Sequence, residues 1–576
     1  MNIQNLISID IKKALINSGA PKNCDPLIFR TLKLNIGDYQ SNAAMKIAKI
    51  LKIDPYQFAK NVILKIKNSD MYHTIKVAKP GFINIILNRD WLSKKLEIAL
   101  YSDRLDIDFV TPQNIVVDYS SPNIAKEMHI GHLRSTIIGD ATVRIIEFLG
   151  HNVTRSNHIG DWGTHFGMLI AYIHNNKKKS ISKISLTDIE KLYKKAKIKY
   201  DHDPKFAKLS REYVVKLQNG DQYCQYLWKK LIDITITYNE KIYKKLNVTL
   251  KNKHIMGESS YKNMLPEVIS DLKKKGIAVK NEDSLIVLLE KYKNRCGNPM
   301  GVVIQKKDGG YLYSIIDIAC LKYRCEILKA DKILYYTDSR QNQYLLQIFE
   351  IAKKAGYIPK NVKVEHHMFG MMLSDDKRPF QTRAGNTIKL SQLLNKAIKK
   401  AKKIIKQKNP NLSEEKIDKL SNIIGIGAIK YADLSKNRIT NYIFNWDEML
   451  SFEGNTAPYI QYAYTRIMSI IKKSKTPLLS LKGDIILSEK FEIELALILL
   501  QFEEKITYAA EKGTPHIICS YLYKLSGIFS NFYESCSILF PENKKISISR
   551  LKLSLLTAKT IKLGLNLLGI NTIDYM

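Results

Sequence analysis

Apolar residues at the start of the chain recur at a helical spacing and give way to a strand-like run over residues 77–87. A Pro-Gly pair at 80–81 marks a turn inside that run. A helix followed by strands around a turn is typical of a small α/β unit. The pattern therefore predicts a separate unit over residues 1 to about 108.

A second pattern begins at Asn114, where the apolar sequence IVVDYS is followed by the polar loop SPNIAKEM. A helical stripe over roughly 129–149 comes next, closed by Gly150, and another strand follows at 151–157. A strand–loop–helix–strand order is the βαβ unit of a parallel sheet. We expect the central part of the chain to be built on this unit.

The rest of the chain changes from mixed to purely helical patterns. Residues from about 177 to 245 are helical and heavily charged, which is typical of a peripheral insertion. A hairpin-like pair of apolar runs then turns at 307–310, and from about 390 onwards only helical spacing is present. Strands are expected at 285–289, 301–305, 311–316, 332–336 and 362–364, and helices at 317–329, 341–355 and 391–408. The predicted fold class is α/β with a parallel sheet, a small N-terminal α/β unit and an all-helical C-terminal third.

Composition excludes a disordered chain and leaves the partner open. The 576 residues are 45% hydrophobic and too many for one core, so three or four units are expected. Lysine and arginine number 91 against 55 acidic residues, a net charge of +36, which favours a polyanionic partner such as a nucleic acid. An A/T-biased coding sequence rich in Lys, Ile and Asn would give the same excess, so charge alone decides nothing.

The cysteine pattern favours a reducing compartment. The chain has 7 scattered cysteines without a CxxC pair, so neither a disulfide framework nor a structural metal site is expected. The first residues form an amphipathic pattern rather than a signal peptide, and no apolar run reaches the ~18 residues that cross a bilayer. We expect a soluble cytoplasmic protein.

The candidate chemistry lies where the first strand of the βαβ unit passes into its helix. His129 and His132 flank Gly131 at that junction, where backbone N–H groups and the helix dipole favour a phosphate. Both imidazoles can donate to one triphosphate, and Gly131 removes a side chain that would block a nucleotide base. Asn123 and Lys126 stand in the preceding loop. The alternative is a pair of histidines that only cap the helix.

The stretch SPNIAKEMHIGHLRSTIIGD, 121–140, resembles the HIGH signature of class I aminoacyl-tRNA synthetases, in the form typical of arginyl-tRNA synthetases. Other stretches resemble that family's blocks and follow its order, so the likeness covers nearly the whole chain. These stretches are PGFINI at 80–85, and residues 157–167, 308–324, 335–347, 365–373 and 452–467.

The resemblance implies a Rossmann-type catalytic domain over residues 109–445, with a helical insertion at about 177–260. It also implies a tRNA-binding N-terminal domain over 1–108 and a helical anticodon-binding domain over 446–576. The implied activity is ATP-dependent ligation of arginine to its tRNA through an arginyl-adenylate, with Mg²⁺ accompanying ATP. The family likeness also favours a monomer.

The second class I signature departs from the usual Lys-Met-Ser-Lys-Ser pattern. The matching stretch, 378–385, reads RPFQTRAG and contains no lysine. The family often has a degenerate loop here, and the lysine that precedes HIGH is thought to supply the charge, a position that Lys126 fits. A solvated loop lysine is the alternative for Lys126. The resemblance implies catalytic roles for Lys126, His129 and His132, and ATP contacts for Pro122, Gly131, Thr382 and Arg383.

The arginine pocket is expected around two residues four positions apart. If a helix starts near Tyr313, its phenol and the Asp317 carboxylate share a face, and a carboxylate suits the planar guanidinium. Asp317 could otherwise be an ordinary acid at a helix N-terminus. The family likeness implies arginine contacts at Asn123, Asn157, Tyr313, Asp317 and Gln341, and tRNA contacts at Tyr459, Tyr462 and Arg466.

Two other readings stay open. Another class I synthetase or a nucleotidylyltransferase would share the HIGH signature but not the set of Tyr313, Asp317 and Gln341. A catalytically inactive RNA-binding relative would explain the degenerate second signature.

Overall fold

The computed structural model describes most of the chain and divides it into two compact units. The described residues are 2–31, 36–67, 69–176, 184–282, 284–293, 297, 299–307, 309–374, 376–378, 388–474, 483–539 and 543–573. The terminal unit combines residues 1–109 with 451–566 and 571–576, and the central unit combines 110–450 with 567–570.

The N-terminal part of the terminal unit is the α/β structure that the sequence predicts. Its antiparallel sheet has the order β1-β2-β4-β3, and Asn2 and Asp54 cap α1 and α3 through their side chains. The elements are α1 (Ile3–Asn17), β1 (Ile28–Arg30), β2 (Tyr39–Ser41), α2 (Ala43–Leu51), α3 (Pro55–Leu64), β3 (Tyr72–Ala78), β4 (Phe82–Leu87) and α4 (Arg89–Tyr101).

The central unit is built on a parallel sheet with the order β11-β10-β5-β6. Its first elements form the predicted βαβ unit. They are β5 (Asn114–Asp118), α5 (Ile130–Phe148), β6 (Asn152–Ser156) and α6 (Thr164–Asn175), followed by the charged helices α7 (Leu186–His202), α8 (Pro204–Gln218) and α9 (Gln222–Lys245).

An antiparallel sheet, β7-β8-β9, and the remaining helices complete the central unit. Two short 3₁₀ turns, Asn252–His254 and Glu258–Met264, connect α9 to α10. The elements are α10 (Leu265–Lys274), β7 (Ala278–Asn281), β8 (Ser284–Lys293), β9 (Pro299–Gln305), α11 (Tyr313–Glu326), β10 (Lys332–Tyr335), α12 (Asn342–Lys354), β11 (Lys363–His366), β12 (Met372–Leu373), α13 (Leu390–Lys408), α14 (Glu414–Leu434), β13 (Tyr442–Ile443) and α15 (Trp446–Met449).

Two details differ from the predicted pattern. Residues 311–316 are not a strand, because Tyr311 forms a single bridge to Gln305 and helix α11 begins at Tyr313. The C-terminal third is not purely helical from residue 390, because Tyr442 and Ile443 pair in parallel with β12. In both places a short apolar run takes its structure from its packing partners rather than from its own periodicity.

The C-terminal part of the terminal unit is a helical bundle. Thr456 caps α16 through its side chain, and Pro458 lies in the first turn of that helix. The helices are α16 (Ala457–Lys473), α17 (Lys490–Leu499), α18 (Phe502–Lys512), α19 (His516–Ser535) and α20 (Lys544–Leu567). None of the helices within the described residues has the length and apolarity to cross a membrane.

Candidate active site

The loop between β5 and α5 is held in a strained conformation at the carboxyl edge of the parallel sheet. Ser120, Ser121 and Ala125 have left-handed φ angles of 71°, 46° and 65°. Hydrogen bonds fix these peptides: Ser121 N donates to Asn157 Oδ1 at 3.0 Å, and Ala125 N donates to Thr235 Oγ1 at 3.1 Å. The loop is therefore preorganised before any ligand arrives.

His129 and His132 cap the start of α5 with their rings. The amide of Gly131 donates to His129 Nδ1 at 3.1 Å, and the amide of His129 donates to His132 Nδ1 at 3.1 Å. An Nδ1 that accepts a hydrogen bond carries no proton, so each neutral ring has its proton on Nε2. The ring centroids lie 4.0 Å apart, which places two donor groups side by side.

Electrostatics keep both rings neutral near pH 7. Burial, followed by the neighbouring His129, lowers the pKa of His132 to about 3. Desolvation and then Lys126 lower the pKa of His129. Gly131 is required between them, because a Cβ there would lie 2.9 Å from His129 Cε1. The predicted clearance for a nucleotide base at Gly131 stays a prediction.

Lys126 and Glu127 point to different surroundings. The Lys126 ammonium is exposed and lies 4.8 Å from the centre of the Tyr193 ring. Glu127 is buried and accepts hydrogen bonds from Thr187 Oγ1 at 2.7 Å, Tyr238 OH at 2.8 Å and Lys389 Nζ at 2.5 Å. Glu127 thus ties the loop to the helical insertion, whereas Lys126 stays accessible to a ligand.

The residues that follow the second signature pair with the first signature. The amide of Ile130 donates to the carbonyl of Ile388 at 3.0 Å, and the amide of Leu390 donates to the carbonyl of Met128 at 2.9 Å. Thr382 and Arg383, predicted to contact ATP, lie outside the described residues. Pro122 lies buried in the loop that precedes His129.

Asp317 lies one turn into α11, four residues after Tyr313, which is the first helical residue, as the spacing predicts. Tyr344 OH donates to Asp317 Oδ2, and His158 Nε2 lies 3.6 Å from Asp317 Oδ1. The Tyr313 ring is 65% exposed and meets the Tyr344 ring edge-on at 6.1 Å. Burial raises the pKa of Asp317, and the His158 charge opposes this rise. A half-buried carboxylate framed by phenols suits a guanidinium ligand.

Glu258 is a second carboxylate at this pocket, and the sequence reasoning missed it. It starts a 3₁₀ turn, and burial, Asp317 and then Asp161 raise its pKa to about 8. Asp161 itself is buried and accepts hydrogen bonds from the amide of Ser259 at 2.8 Å and from its hydroxyl at 2.6 Å. A lone Gly-Glu-Ser-Ser segment after an insertion has no periodicity or motif that would single it out.

The remaining predicted arginine contacts are Asn123, Asn157 and Gln341, and each has different surroundings. Asn123 packs against Gly160, since a Cβ on that glycine would lie 2.5 Å from Asn123 Oδ1. Asn157 is buried, and its Nδ2 donates to Tyr243 OH at 3.3 Å, so its amide supports the loop. Gln341 is exposed at the start of α12, the helix that carries Tyr344.

The predicted tRNA contacts lie on the terminal unit. Tyr462 is 48% exposed, and the Tyr459 ring meets that of Tyr523 edge-on at 5.5 Å. The Arg466 guanidinium lies 4.5 Å from the centre of the Tyr533 ring. Aromatic rings beside cations are suited to unpaired bases.

In the part of the chain that the structure describes, no group of three or more His, Cys, Asp or Glu side chains is arranged to hold a metal ion. The absence of a structural metal therefore stays a prediction.

Three family models match the chain in succession. The model described as the arginyl tRNA synthetase N terminal domain matches residues 1–87, that of the class I (R) tRNA synthetase catalytic domain matches 95–446, and that of the DALR anticodon binding domain matches 460–576. These matches have the order that the sequence motifs predict.

Relatives and a solved structure agree with the family models. The chain is 62% identical to an arginine–tRNA ligase of Buchnera aphidicola subsp. Acyrthosiphon pisum (strain Tuc7) and 54% identical to that of Cronobacter sakazakii, with 100% of each chain covered. It superposes on the arginyl-tRNA synthetase of Plasmodium falciparum with a TM-score of 0.87 and 32% identity, covering 100% of this chain and 99% of that one. The predicted fold class is confirmed, and the chain belongs to the arginyl-tRNA synthetase family of class I aminoacyl-tRNA synthetases.

Proposed function

We propose that this chain ligates arginine to tRNA in two steps. The carboxylate of arginine attacks the α-phosphate of ATP, a new oxygen–phosphorus bond forms, and pyrophosphate leaves. A terminal ribose hydroxyl of tRNA then attacks the carbonyl of arginyl-adenylate, loses its proton, and AMP leaves. The protein orients the reactants and stabilises phosphate charge, so no covalent enzyme intermediate is needed.

The observation that carries this proposal is the paired capping of His129 and His132. Their Nδ1 atoms accept backbone N–H groups, so both Nε2–H groups are free to donate to phosphate oxygens at the start of α5. The exposed Lys126 stands in the same loop and adds the lysine charge that the second signature lacks. We infer that ATP enters as its Mg²⁺ complex.

The carboxylates around Asp317 support arginine as the amino acid. A guanidinium is a planar fork of donors, and Asp317 with Glu258 supplies charged acceptors for it. A neutral or shorter side chain would leave these buried groups unpaired, so the pocket rejects it without a separate editing site. We assign Glu258 to arginine binding together with Asn123, Asn157, Tyr313, Asp317 and Gln341.

The other assignments rest on the family likeness and the sequence. We propose domains over residues 1–108, 109–445 and 446–576, a cytoplasmic monomer, and tRNA contact through the helical C-terminal domain. The net charge of +36 favours binding to the phosphate backbone of tRNA. The proposed tRNA contacts are Tyr459, Tyr462 and Arg466, and the proposed ATP contacts are Pro122, Gly131, Thr382 and Arg383.

Arginine-dependent exchange of pyrophosphate into ATP tests the proposal. We expect exchange with arginine and not with other amino acids, and we expect it to require bound tRNA for arginine. Exchange with a different amino acid would identify another class I synthetase. Tight tRNA binding without exchange or charging would identify an inactive RNA-binding relative.

A further inference from the structure

Helix α7 of the insertion lies against the loop that carries the first signature. Thr187, Glu190 and Tyr193 follow one another at intervals of three residues, so they lie along one side of that helix. Thr187 Oγ1 donates to Glu127 Oε1 at 2.7 Å, and the ammonium of Lys126 lies 4.8 Å from the centre of the Tyr193 ring. Two consecutive residues of the loop thus meet the same side of α7.

Lys389 joins this side of α7 to Glu127. Its ammonium lies 2.5 Å from Glu127 Oε1 and 3.2 Å from Glu190 Oε2, and its backbone forms an antiparallel bridge with His129. In the sequence Lys389 stands four residues after the end of the second signature, 378–385. Because two carboxylates hold its ammonium, Lys389 is an anchor between the two signatures.

Glu127 is the buried centre of this arrangement. The residue is 8% exposed, and Tyr238 OH of α9 donates to its second oxygen at 2.8 Å. Burial raises the pKa of Glu127, but the hydrogen bonds that it accepts, first that of Lys389, outweigh burial and lower this pKa below its usual value. Glu127 is therefore an ionised carboxylate, and both of its oxygens accept hydrogen bonds.

Resting on the proposed function, we propose that Glu127 is a positioning residue through which helix α7 holds Lys126 and His129 in place for the activation of arginine. Lys126 directly precedes Glu127 in the chain, and the bridge partner of His129 is Lys389. The carboxylate thereby fixes where the ammonium and the imidazole stand before ATP arrives. Donors that are already in place need no reorganisation when charge develops on the phosphates.

The effect of this arrangement falls on the rate of the reaction rather than on arginine binding. Asp317, the carboxylate that we assign to the guanidinium, lies on α11, outside this cluster. Loss of the Glu127 charge leaves Glu190 as the partner of the Lys389 ammonium and loosens the bridge beside His129. A misplacement of about 1 Å at the reacting groups can cost roughly 10²-fold in rate.

Single-turnover charging of tRNA for arginine, with the full chain in saturating excess over tRNA, tests this role. Glu127→Gln keeps the shape of the side chain and removes its charge. We expect the maximal rate to fall by roughly 10²-fold, while the arginine concentration that gives half of this rate is unchanged. The rate at saturating protein does not depend on the fraction of folded molecules, so a loss of stability alone leaves it unchanged.

Variants of Lys389 separate an anchor from a direct phosphate contact. Lys389→Met should lower the same rate by a similar factor. Lys389→Arg keeps a cation between the two carboxylates and should recover most of that loss. The double variant Glu127→Gln with Lys389→Met should be no slower than the slower single variant, because both changes remove the same bridge.

Glu147→Gln is the matched control for the loss of a paired carboxylate. Arg155 donates to both Glu147 oxygens at 2.7 Å, and Glu147 lies at the end of α5 that is remote from His129. The variant therefore breaks a comparable ion pair without touching the loop. It should keep the charging rate of the original protein.

Each outcome bears on one claim. A normal rate in Glu127→Gln, or a Lys389→Arg variant as slow as Lys389→Met, overturns the role of Glu127. A slow Lys389→Met beside a normal Glu127→Gln would identify Lys389 as a direct phosphate contact, and effects that multiply in the double variant would show two independent roles; both results overturn the proposal. The Lys389 variants keep the test decisive if Glu127→Gln fails to fold. Failure of the original protein to charge tRNA with arginine would instead overturn the proposed function.

Discussion

The guanidinium of Arg324 and the carboxylate of Asp118 form a buried ion pair near the proposed arginine pocket. The side chains are 0% and 5% exposed, and Arg324 Nη2 also donates to Ser156 Oγ at 2.7 Å. The other oxygen of Asp118 accepts from Ser121 Oγ at 3.0 Å. The pair therefore joins α11, which carries Asp317, to the strained loop that leads to His129.

Arg324→Met should destabilise the central unit strongly. Removing one member of a buried ion pair leaves the other charge without a partner, which costs about 3–5 kcal/mol. Urea denaturation of the two proteins measures the difference in the free energy of unfolding. Glu326→Gln is the control on the same helix, because its pair with Lys322 lies at the surface and should be worth less than about 1 kcal/mol. Equal effects of the two changes would contradict the importance of the buried pair.

Asp317→Ala should raise the KM for arginine and lower kcat/KM by roughly 10²-fold or more. The guanidinium loses its counter-charge, which corresponds to about 3 kcal/mol. The KM for ATP should change little, because the triphosphate is assigned to the loop before α5. Steady-state aminoacylation with each substrate varied in turn gives these constants. Unchanged arginine kinetics would show that the pocket lies elsewhere.

The sequence was sufficient for features that depend on neighbours along the chain. The strand before Ser121, the helix after His129 and the four-residue spacing of Tyr313 and Asp317 are local patterns, and the structure has them where the sequence indicates. The capping by both histidines was only the alternative interpretation of their position at the start of a helix. Local periodicity therefore predicted the frame of the site.

Features that depend on distant segments could not be predicted in this way. Glu258 reaches the pocket from a 3₁₀ turn after the insertion, and its approach to Asp317 depends on tertiary packing. The same holds for residues 567–570, which begin at the last residue of α20 and group with the central unit. The predicted strand over 311–316 does not form, because α11 begins at Tyr313, where Ser314 Oγ donates to the carbonyl of the distant Val303.

Lys126→Met should slow arginine activation by roughly 10²–10³-fold, the range for losing one donor that acts in the transition state. The ammonium matters most as the α–β phosphate bond breaks and negative charge develops on pyrophosphate. Pyrophosphate exchange measures this step, and a filter-binding assay should show unchanged tRNA affinity. Lys191→Met is the control, since Lys191 is an exposed lysine of the insertion, 70% accessible. Near-normal exchange in Lys126→Met would mean that Lys126 is only a solvated loop lysine.

Lys430 joins the end of the chain to the core of the central unit. Its side chain is 1% exposed, and its Nζ donates to the carbonyl of Leu246 at 2.8 Å and to that of Gly569 at 2.7 Å. Burial lowers the pKa of Lys430 to about 7. The unfolded chain has an ordinary lysine with a pKa near 10.4, so it binds more protons than the folded protein between these two values.

The free energy of unfolding of the central unit should therefore depend on pH through the titration of Lys430. Where the unfolded state binds the extra proton, the free energy of unfolding rises with pH, by roughly 1.4 kcal/mol per unit for one group. Lys430→Met removes this group, so its stability should fall progressively behind that of the original protein as pH rises from about 7.5 to 10. Denaturant titrations at a series of pH values measure the difference in the free energy of unfolding between the two proteins. The titration of other groups cancels in this difference, because both proteins share those groups. Lys436→Met, at an exposed position just after α14, should leave the pH dependence unchanged. A gap that stays constant with pH would mean that Lys430 remains protonated throughout, held as a cation by the two carbonyl oxygens and by the nearby Asp140 carboxylate, which raises its pKa.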